Sequence, residues 1–136
     1  MGLHHTHDEI CVLCQHKKLQ AHPILASIYD RVKAKFPDTH IAWTFRDKYY
    51  QDLAYRDGRS RVRWPDSKHN AMENGLPRAR AIDLFRLRPD LVAAWEISFY
   101  RDIWEFIKSS GVPIMWGGEW KKFTDSPHFQ LSDDIV

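Results

Sequence analysis

The chain has 136 residues, about the size of one ordinary domain with a single hydrophobic core. Its 20 Lys and Arg residues nearly balance its 18 Asp and Glu residues, and the net charge of +2 is too small to predict a nucleic-acid partner by itself. No apolar run reaches the roughly 18 residues that cross a bilayer, and the first residues lack the apolar core of a signal peptide. We therefore expect no membrane insertion, synthesis in the cytoplasm, and a monomer.

Residues 1–18 are polar and show no clear periodicity, so we predict an N-terminal appendage followed by one domain over residues 19–136. Cys11 and Cys14 lie too close in sequence to staple a fold with a disulfide. Their spacing is that of half a zinc knuckle, so they are candidate ligands of a second, structural zinc ion. The other interpretation is a reduced thiol pair in a flexible tail. The choice of further ligands stays open among the nearby histidines, which are His4, His5, His7 and His16.

Apolar side chains recur every four residues from Ile24 to Phe36, which predicts a helix over residues 23–35. Alternation of apolar and other side chains predicts a strand over residues 40–46. Asp47 can cap the following helix, which is expected to stop at Gly58.

Residues 60–75 contain few apolar side chains, and we predict a long loop that carries His69. The apolar run over residues 81–87 predicts a central strand with Asp83 in its middle. A buried carboxylate at this position would lower the stability of the fold by an amount on the order of several kcal/mol unless a cation or hydrogen-bond donors were beside it.

The strongest helical periodicity covers residues 89–110 and is expected to end at Gly111. A strand over residues 112–116 then enters a Gly-Gly turn, and residues 129–131 form a last strand. Because helices and strands mix without strict alternation, we predict an α+β fold with helices packed on a small antiparallel sheet.

Five basic residues fall close together before and beside His69, and they favour an anionic polymer as partner or form an ordinary solvated loop. They are Arg56, Arg59, Arg61, Arg63 and Lys68.

His69, Asp83 and His128 are the candidate catalytic metal ligands. Two imidazoles and one carboxylate supply three positions of a tetrahedral zinc ion and leave the fourth open, as catalytic zinc sites do. Taken singly each residue is a weak signal, since a lone histidine in a loop is more often a surface residue.

Three spacings accompany these residues: Ser-x-His ending at His69, Ala-x-Asp ending at Asp83, and Asp-x-Pro-His-Phe around His128, after a Trp-Gly-Gly-x-Trp segment. Together they resemble the zinc-dependent peptidoglycan peptidases of the D-alanyl-D-alanine carboxypeptidase and L-alanyl-D-glutamate endopeptidase family. The Trp-Gly-Gly and Asp-x-x-His-Phe features look most like the L-alanyl-D-glutamate branch, which includes bacteriophage endolysins. The resemblance covers about residues 43–131 and implies a hedgehog/D-Ala-D-Ala-peptidase-like fold.

Carried onto this chain, the resemblance implies zinc ligands at His69, Asp83 and His128. It also implies that Asp125 is the general base and that Arg46 stabilises negative charge on the reaction intermediate.

The resemblance gives Gln51 and Ser67 supporting, substrate-side roles. Trp116 and Trp120 are either core residues or walls of a substrate cleft. The interval 83 − 69 = 14 residues is longer than the compact form of the motif, and residues 70–80 are expected to be an insertion that shapes the groove.

The leading interpretation is a zinc metallopeptidase that hydrolyses peptidoglycan stem peptides, at the L-alanyl-D-glutamate bond, in phage lysis or cell-wall remodelling. The runner-up is a D-alanyl-D-alanine carboxypeptidase. A cell-wall-binding module that keeps zinc without hydrolysis, and a nucleic-acid-binding module built on the Cys and His tail, are further alternatives.

Overall fold

The computed structural model describes residues 5–6 and 11–135. This part of the chain forms helices and strands in the order α1 (Val12–Leu19), α2 (Pro23–Lys35), β1 (Thr39–Trp43), α3 (Lys48–Arg56), β2 (Met72–Glu73), β3 (Leu76–Pro77), β4 (Ala81–Leu87), β5 (Ala93–Ala94), α4 (Ile97–Ser109), β6 (Ile114–Trp116) and β7 (His128–Leu131). Two short 3-10 turns, Lys68–Asn70 and Gly117–Glu119, lie beside the sheet.

The main sheet is antiparallel, with strand order β1-β4-β7-β6 and β5 added to the end of β4. β4 has the bounds predicted from its apolar run and lies centrally, between β1 and β7. The predicted α+β class, helices packed on a small antiparallel sheet, is confirmed.

The hydrophobic core lies on one face of the sheet. Ile82 and Leu84 of β4 are buried in one cluster with apolar side chains of α2 and α4. In α4, the buried residues recur at three- and four-residue steps, and they are Tyr100, Ile103, Trp104 and Ile107. Because side chains alternate along a strand, Asp83 and Phe85 lie on the other face of β4. That face carries the candidate site.

The helix predicted over residues 23–35 is confirmed as α2, and α3 begins where Asp47 caps it, with the Tyr50 N–H donating to Asp47 Oδ1 at 3.0 Å. The strand predicted over residues 40–46 is shorter, since β1 ends at Trp43. Beyond it the chain leaves the sheet, because the Arg46 N–H donates to the carbonyl of His69 instead of a strand neighbour.

The long helix predicted over residues 89–110 is wrong in its first eight residues. Leu91 has a φ of 64°, in the left-handed region that no helix interior tolerates, and the Arg88 N–H donates to the Val92 carbonyl across a tight turn. The turn brings β5 back onto β4, so α4 begins only at Ile97. Val92 and Trp95, which extend the helical periodicity, are half-exposed.

Two further elements differ from expectation. No helix is predicted before residue 23, yet α1 packs on β1, and its N-cap Cys11 and its third residue Cys14 are buried in the core cluster. The end of the predicted loop forms the β2-β3 hairpin, whose Asn74-Gly75 turn has positive φ at both residues. The division of the chain at residue 18 stays a prediction.

Within residues 5–6 and 11–135, no helix combines the length and the apolar composition that a bilayer-spanning segment requires.

Truncating Ile103 should destabilise the fold because its side chain is fully buried on the inner face of α4. We expect Ile103→Ala to lower the free energy of unfolding by about 2–5 kcal/mol, as large-to-small core changes do. Urea unfolding measures the loss. Ile97→Ala, at a half-exposed position in the same helix, is the matched control and should change stability by less than about 1 kcal/mol. Equal losses in the two variants would contradict this assignment of the inner face.

Candidate metal centre and cleft

The structure brings His69, Asp83 and His128 together from three separate segments. Asp83 lies in the middle of β4, and the antiparallel register pairs it directly with His128, the first residue of β7. His69 lies in the 3-10 turn Lys68–Asn70. One ligand atom of each residue lies within 4.8 Å of the other two.

His69 is oriented by a backbone carbonyl. Its Nδ1 donates to the Thr44 oxygen at 2.7 Å, so Nε2 is the nitrogen without a proton in the neutral ring, and it lies 3.2 Å from Asp83 Oδ2. Nε2 is buried and has no hydrogen-bond partner. Ser67 stabilises the turn that carries His69, because its hydroxyl oxygen accepts from the His69 N–H at 3.2 Å.

His128 is oriented by a side chain on its own strand. Its Nε2 donates to Gln130 Oε1 at 2.8 Å, and the two residues share a face of β7 because they are two positions apart. Its Nδ1 therefore faces Asp83 Oδ1, at 3.0 Å. The two histidines thus present different ring nitrogens to the same carboxylate.

This arrangement favours a cation among the three residues. Neutral imidazoles held in these tautomers would point two lone pairs at the negative carboxylate of Asp83. Burial alone would raise the pKa of Asp83, but the positive charge that His69 carries when protonated and the hydrogen bond from His128 outweigh it and hold that pKa below its usual range. For His128, burial opposes the charged form, yet the hydrogen bond to Asp83 raises its pKa.

The distances suit a metal ion. A tetrahedral ion with ligands at about 2.0–2.1 Å has ligand-to-ligand edges of about 3.3 Å, and the two imidazole nitrogens lie 3.2 and 3.0 Å from the oxygens of Asp83. The buried Nε2 of His69 has no hydrogen-bond partner, and a metal ion in front of it would be coordinated by its lone pair. The residues present therefore fit a divalent metal ion.

Arg46 supplies a fixed positive charge beside these residues. Its Nη2 lies 3.7 Å from Asp83 Oδ2, and its guanidinium stacks on the Trp43 ring. Its Nη1 donates to Gln51 Oε1 at 3.2 Å, so Gln51, which is fully buried, positions Arg46 from behind. Gln51 does not reach the cleft, and its predicted role in contacting substrate has no support in its position.

Asn70 is a positioning residue that the sequence analysis missed. Its amide donates to the Arg46 carbonyl at 2.9 Å and to Gln51 Oε1 at 3.2 Å. Its side-chain oxygen accepts from the Ser67 N–H, completing a reciprocal cap around the turn that holds His69. The spacing Ser-x-x-Asn around His69 was the available signal.

Asp125 lies beside the metal-ligand candidates, with Oδ2 4.0 Å from His128 Nδ1. Burial raises its pKa, and the negative charge of Asp83 raises it further. Its backbone is held at Gly117, whose carbonyl accepts from the Asp125 N–H at 3.0 Å. A Cβ on Gly117 would lie 2.4 Å from the Asp125 carbonyl oxygen, so the first glycine of the Gly-Gly turn is required for this close approach.

The two tryptophans beside the Gly-Gly turn have different environments. Trp116 is buried, stacks between Trp104 and Phe129, and donates from its indole N–H to the Ser126 carbonyl, so it is a core residue and does not line the cleft. Trp120 does line the cleft, and its ring centroid lies 5.1 Å from that of His128.

The candidate ligands open into a cleft of about 740 Å³. Basic side chains predicted to meet an anionic partner lie on its wall, and they are Arg59, Arg61 and Lys68. Arg61 also stacks on Phe123, which lines the same cleft. Residues 70–80 are absent from the lining of the cleft, so their position gives no support to the expectation that this insertion shapes the groove.

A buried His-Asp-His set, flanked by a carboxylate and an arginine at the base of an open cleft on an α+β fold, defines a metal-dependent hydrolase. Comparison with known proteins gives the same class. Residues 67–131 match a peptidase family described as D-alanyl-D-alanine carboxypeptidase.

The peptidoglycan L-alanyl-D-glutamate endopeptidase CwlK of Bacillus subtilis is 30% identical over 130 residues, covering 81% of this chain and 72% of that protein. The crystal structure of the L-Ala D-Glu endopeptidase ChiX of Serratia marcescens superposes with a TM-score of 0.71 and 25% identity, covering 92% of each chain. The chain belongs to this family of metal-dependent D-alanyl-D-alanine carboxypeptidases and L-alanyl-D-glutamate endopeptidases.

Removing the carboxamide of Gln130 should weaken metal binding without removing a ligand. In Gln130→Ala the Nε2–H of His128 loses its acceptor, so the ring orientation and tautomer are no longer fixed, and we expect metal affinity to fall about 10–100-fold. Competition with a chromophoric chelator measures the change. Gln20→Ala is the control, because the Gln20 side chain is exposed and only its backbone makes hydrogen bonds. An affinity that is equal in Gln130→Ala and the unmodified protein would rule out this role.

Proposed function

We propose that the protein is a zinc endopeptidase that hydrolyses the L-alanyl-D-glutamate bond of peptidoglycan stem peptides. One observation carries the proposal: His69, Asp83 and His128 converge at the base of a cleft, with Asp125 and Arg46 at the same point. Both named relatives are L-alanyl-D-glutamate endopeptidases and support this bond as the substrate.

Zinc suits the donor set better than a hard cation. Two imidazole nitrogens and one carboxylate are ligands that zinc prefers, whereas magnesium and calcium prefer oxygen alone. The assigned ligand atoms are Nε2 of His69, a carboxylate oxygen of Asp83 and Nδ1 of His128. When bound, the ion would lower the pKa of a water to about 7 and polarise the scissile carbonyl.

Asp125 is the proposed proton carrier. Its carboxylate lies against His128 and lines the cleft, where it can take a proton from the attacking water and give it to the leaving amine of D-glutamate. Because burial and the charge of Asp83 raise its pKa, Asp125 holds a proton more readily than an exposed aspartate does.

Arg46 is the proposed stabiliser of negative charge at the scissile carbonyl. Its guanidinium is buried, stacked on Trp43 and tied to Gln51, so the side chain is positioned before substrate binds. A fixed charge of this kind needs no reorganisation as the oxyanion forms, and losing one such donor typically costs about 3 kcal/mol of transition-state stabilisation.

The wall of the cleft complements an acidic peptide. Arg59, Arg61 and Lys68 supply positive charge, and Trp120 supplies a flat apolar surface beside His128. The carboxylates of a stem peptide containing D-glutamate would be attracted to such a wall. We further propose a role as an endolysin in bacteriophage lysis, or in cell-wall remodelling. In this proposal the protein is made in the cytoplasm as a monomer and is then released to the wall.

Digestion of defined muropeptides tests the substrate bond. The zinc-loaded protein is incubated with muropeptides released from purified walls, and the products are identified by mass spectrometry. We expect peptides with a new N-terminal D-glutamate, and no products after treatment with a chelator. Release of D-alanine alone would instead identify a D-alanyl-D-alanine carboxypeptidase, the activity named in the description of the matching family. Intact muropeptides would indicate that the protein is a wall-binding module that does not hydrolyse its ligand.

Replacing Asp125 should separate turnover from metal binding. In Asp125→Ala we expect kcat to fall about 10²–10⁴-fold, the range for loss of a general acid–base group, with the metal content of the protein unchanged. Muropeptide turnover and elemental analysis give the two readouts. Asp134→Ala, at an exposed aspartate in the C-terminal segment, is the control and should keep full turnover. Full turnover of Asp125→Ala would remove Asp125 from the mechanism.

A further inference from the structure

A second group of metal-ligating side chains lies outside the catalytic cleft. His5, Cys11, Cys14 and His40 each offer one ligand atom, and the four atoms all lie within 4.8 Å of one another. Cys14 Sγ lies 3.4 Å from His5 Nδ1 and 3.4 Å from His40 Nδ1, and Cys11 Sγ lies 3.5 Å from His5 Nδ1. The donors are two sulfurs and two imidazole nitrogens.

The local fold explains why these atoms meet. Cys11 is the N-cap of α1, and Cys14 lies three residues later, so both sulfurs are on one face of the first turn. The N-terminal end of a helix stabilises thiolate charge. His40 is buried in β1, the strand on which α1 packs, and His5 reaches the group from the N-terminal segment.

The environment of the sulfurs is that of structural cysteines, which are buried and inert, rather than that of exposed reactive ones. Cys11 and Cys14 are only 2% and 1% exposed and form no disulfide. The backbone N–H of Ile41 donates to Cys14 Sγ at 3.4 Å, a contact that stabilises negative charge on sulfur. The rings of His5 and His40 both pack on Phe85, which shields the group from solvent.

We infer that His5, Cys11, Cys14 and His40 form a closed structural zinc site. Four N and S donors with no open position are the ligand set of structural zinc, and the soft thiolates exclude magnesium and calcium. The choice of histidines, which the sequence alone left open, becomes His5 and His40. His16 is exposed outside the group, and His4 and His7 lie outside the described residues.

The site would fasten the N-terminal segment to the domain that carries the cleft. Past Cys14, the carbonyl of Lys17 accepts from the Thr44 hydroxyl at 2.5 Å, and the carbonyl of Thr44 orients His69. Lys17 also donates from Nζ to the Ala42 carbonyl of the same segment. The second metal ion therefore holds a helix that supports the backbone behind a candidate catalytic ligand.

Cobalt substitution of the unmodified protein is the first test. Cobalt bound by two thiolates gives an intense sulfur-to-metal charge-transfer band in the near ultraviolet, which a site with two histidines and an aspartate lacks. We expect this band in the cobalt-loaded protein. We also expect about two zinc ions per chain in the zinc-loaded protein. A protein with about one zinc ion and no such band would overturn the inference.

Variants assign each ion to its site. Cys11→Ser combined with Cys14→Ser should lose one zinc ion per chain and the charge-transfer band, and His5→Ala should weaken zinc binding at this site by more than about tenfold. His69→Ala should lose a zinc ion but keep the band. His16→Ala, with an exposed imidazole in α1, is the matched control and should change neither readout.

The two sites can fail independently. If only the catalytic proposal is wrong, His69→Ala leaves the metal content unchanged while the double cysteine variant still lowers it. If the double cysteine variant and the unmodified protein, both folded by circular dichroism, contain the same amount of zinc, the structural site does not exist. Should the double variant not fold, His5→Ala and the cobalt spectrum of the unmodified protein still decide.

Discussion

The carboxylate of Asp83, placed between two imidazole nitrogens that cannot donate to it while both rings are neutral, is the interaction on which the rest of this structure depends. A negative charge in the middle of a mostly apolar, buried strand is unfavourable unless a cation or hydrogen-bond donors meet it. Neutral histidines cannot supply the hydrogen bonds that Asp83 needs. The N–H of His69 already donates to the Thr44 carbonyl, and the N–H of His128 already donates to Gln130. The result is a pocket whose electrostatics favour a proton or a metal ion in addition to the charge of Arg46, at the base of a cleft.

Backbone carbonyls and buried side chains together fix the geometry of the site. His69 is held by a carbonyl oxygen, and Asp125 is held at Gly117, where a side chain would collide with its carbonyl. His128 is held by the side chain of Gln130, and Arg46 by a buried network of hydrogen bonds through Gln51 and Asn70. A long cationic side chain is thus restricted to one position, as charge stabilisation in an active site requires.

The sequence predicted those parts of the structure whose signals are local. β4 could be bounded because a short apolar run with polar neighbours on both sides is typical of a buried strand, and the start of α3 because Asp47 is a strong cap. The start of α4 could not be located, since Val92 and Trp95 continue the helical periodicity while Leu91, a residue with no turn preference, adopts the left-handed conformation. That backbone conformation has no signal in the sequence. The cap between Ser67 and Asn70 had a local signal, but the hydrogen bonds of Asn70 to Arg46 and Gln51 had none, because those partners lie far away along the chain.

The first helix was missed for a different reason. Its amphipathic pattern is interrupted by cysteines and histidines, which ordinary periodicity treats as polar, although Cys11 and Cys14 are buried with the hydrophobic core. Residues that bind metals can substitute for apolar residues in fixing an element to a domain, because the bond energy comes from coordination instead of burial. Composition alone therefore understates how much of this chain is ordered.

His69 faces Asp83 with Nε2, whereas His128 faces it with Nδ1. The ligand atoms of the two imidazoles therefore lie at different distances from their own backbones. The ε position of an imidazole is matched by the terminal oxygen of glutamine, and the δ position by that of asparagine. An amide isostere that preserves the shape of the pocket would accordingly be glutamine at one histidine and asparagine at the other. In the reverse pair of substitutions, His69→Asn would be too short to reach the ion and His128→Gln would be too long.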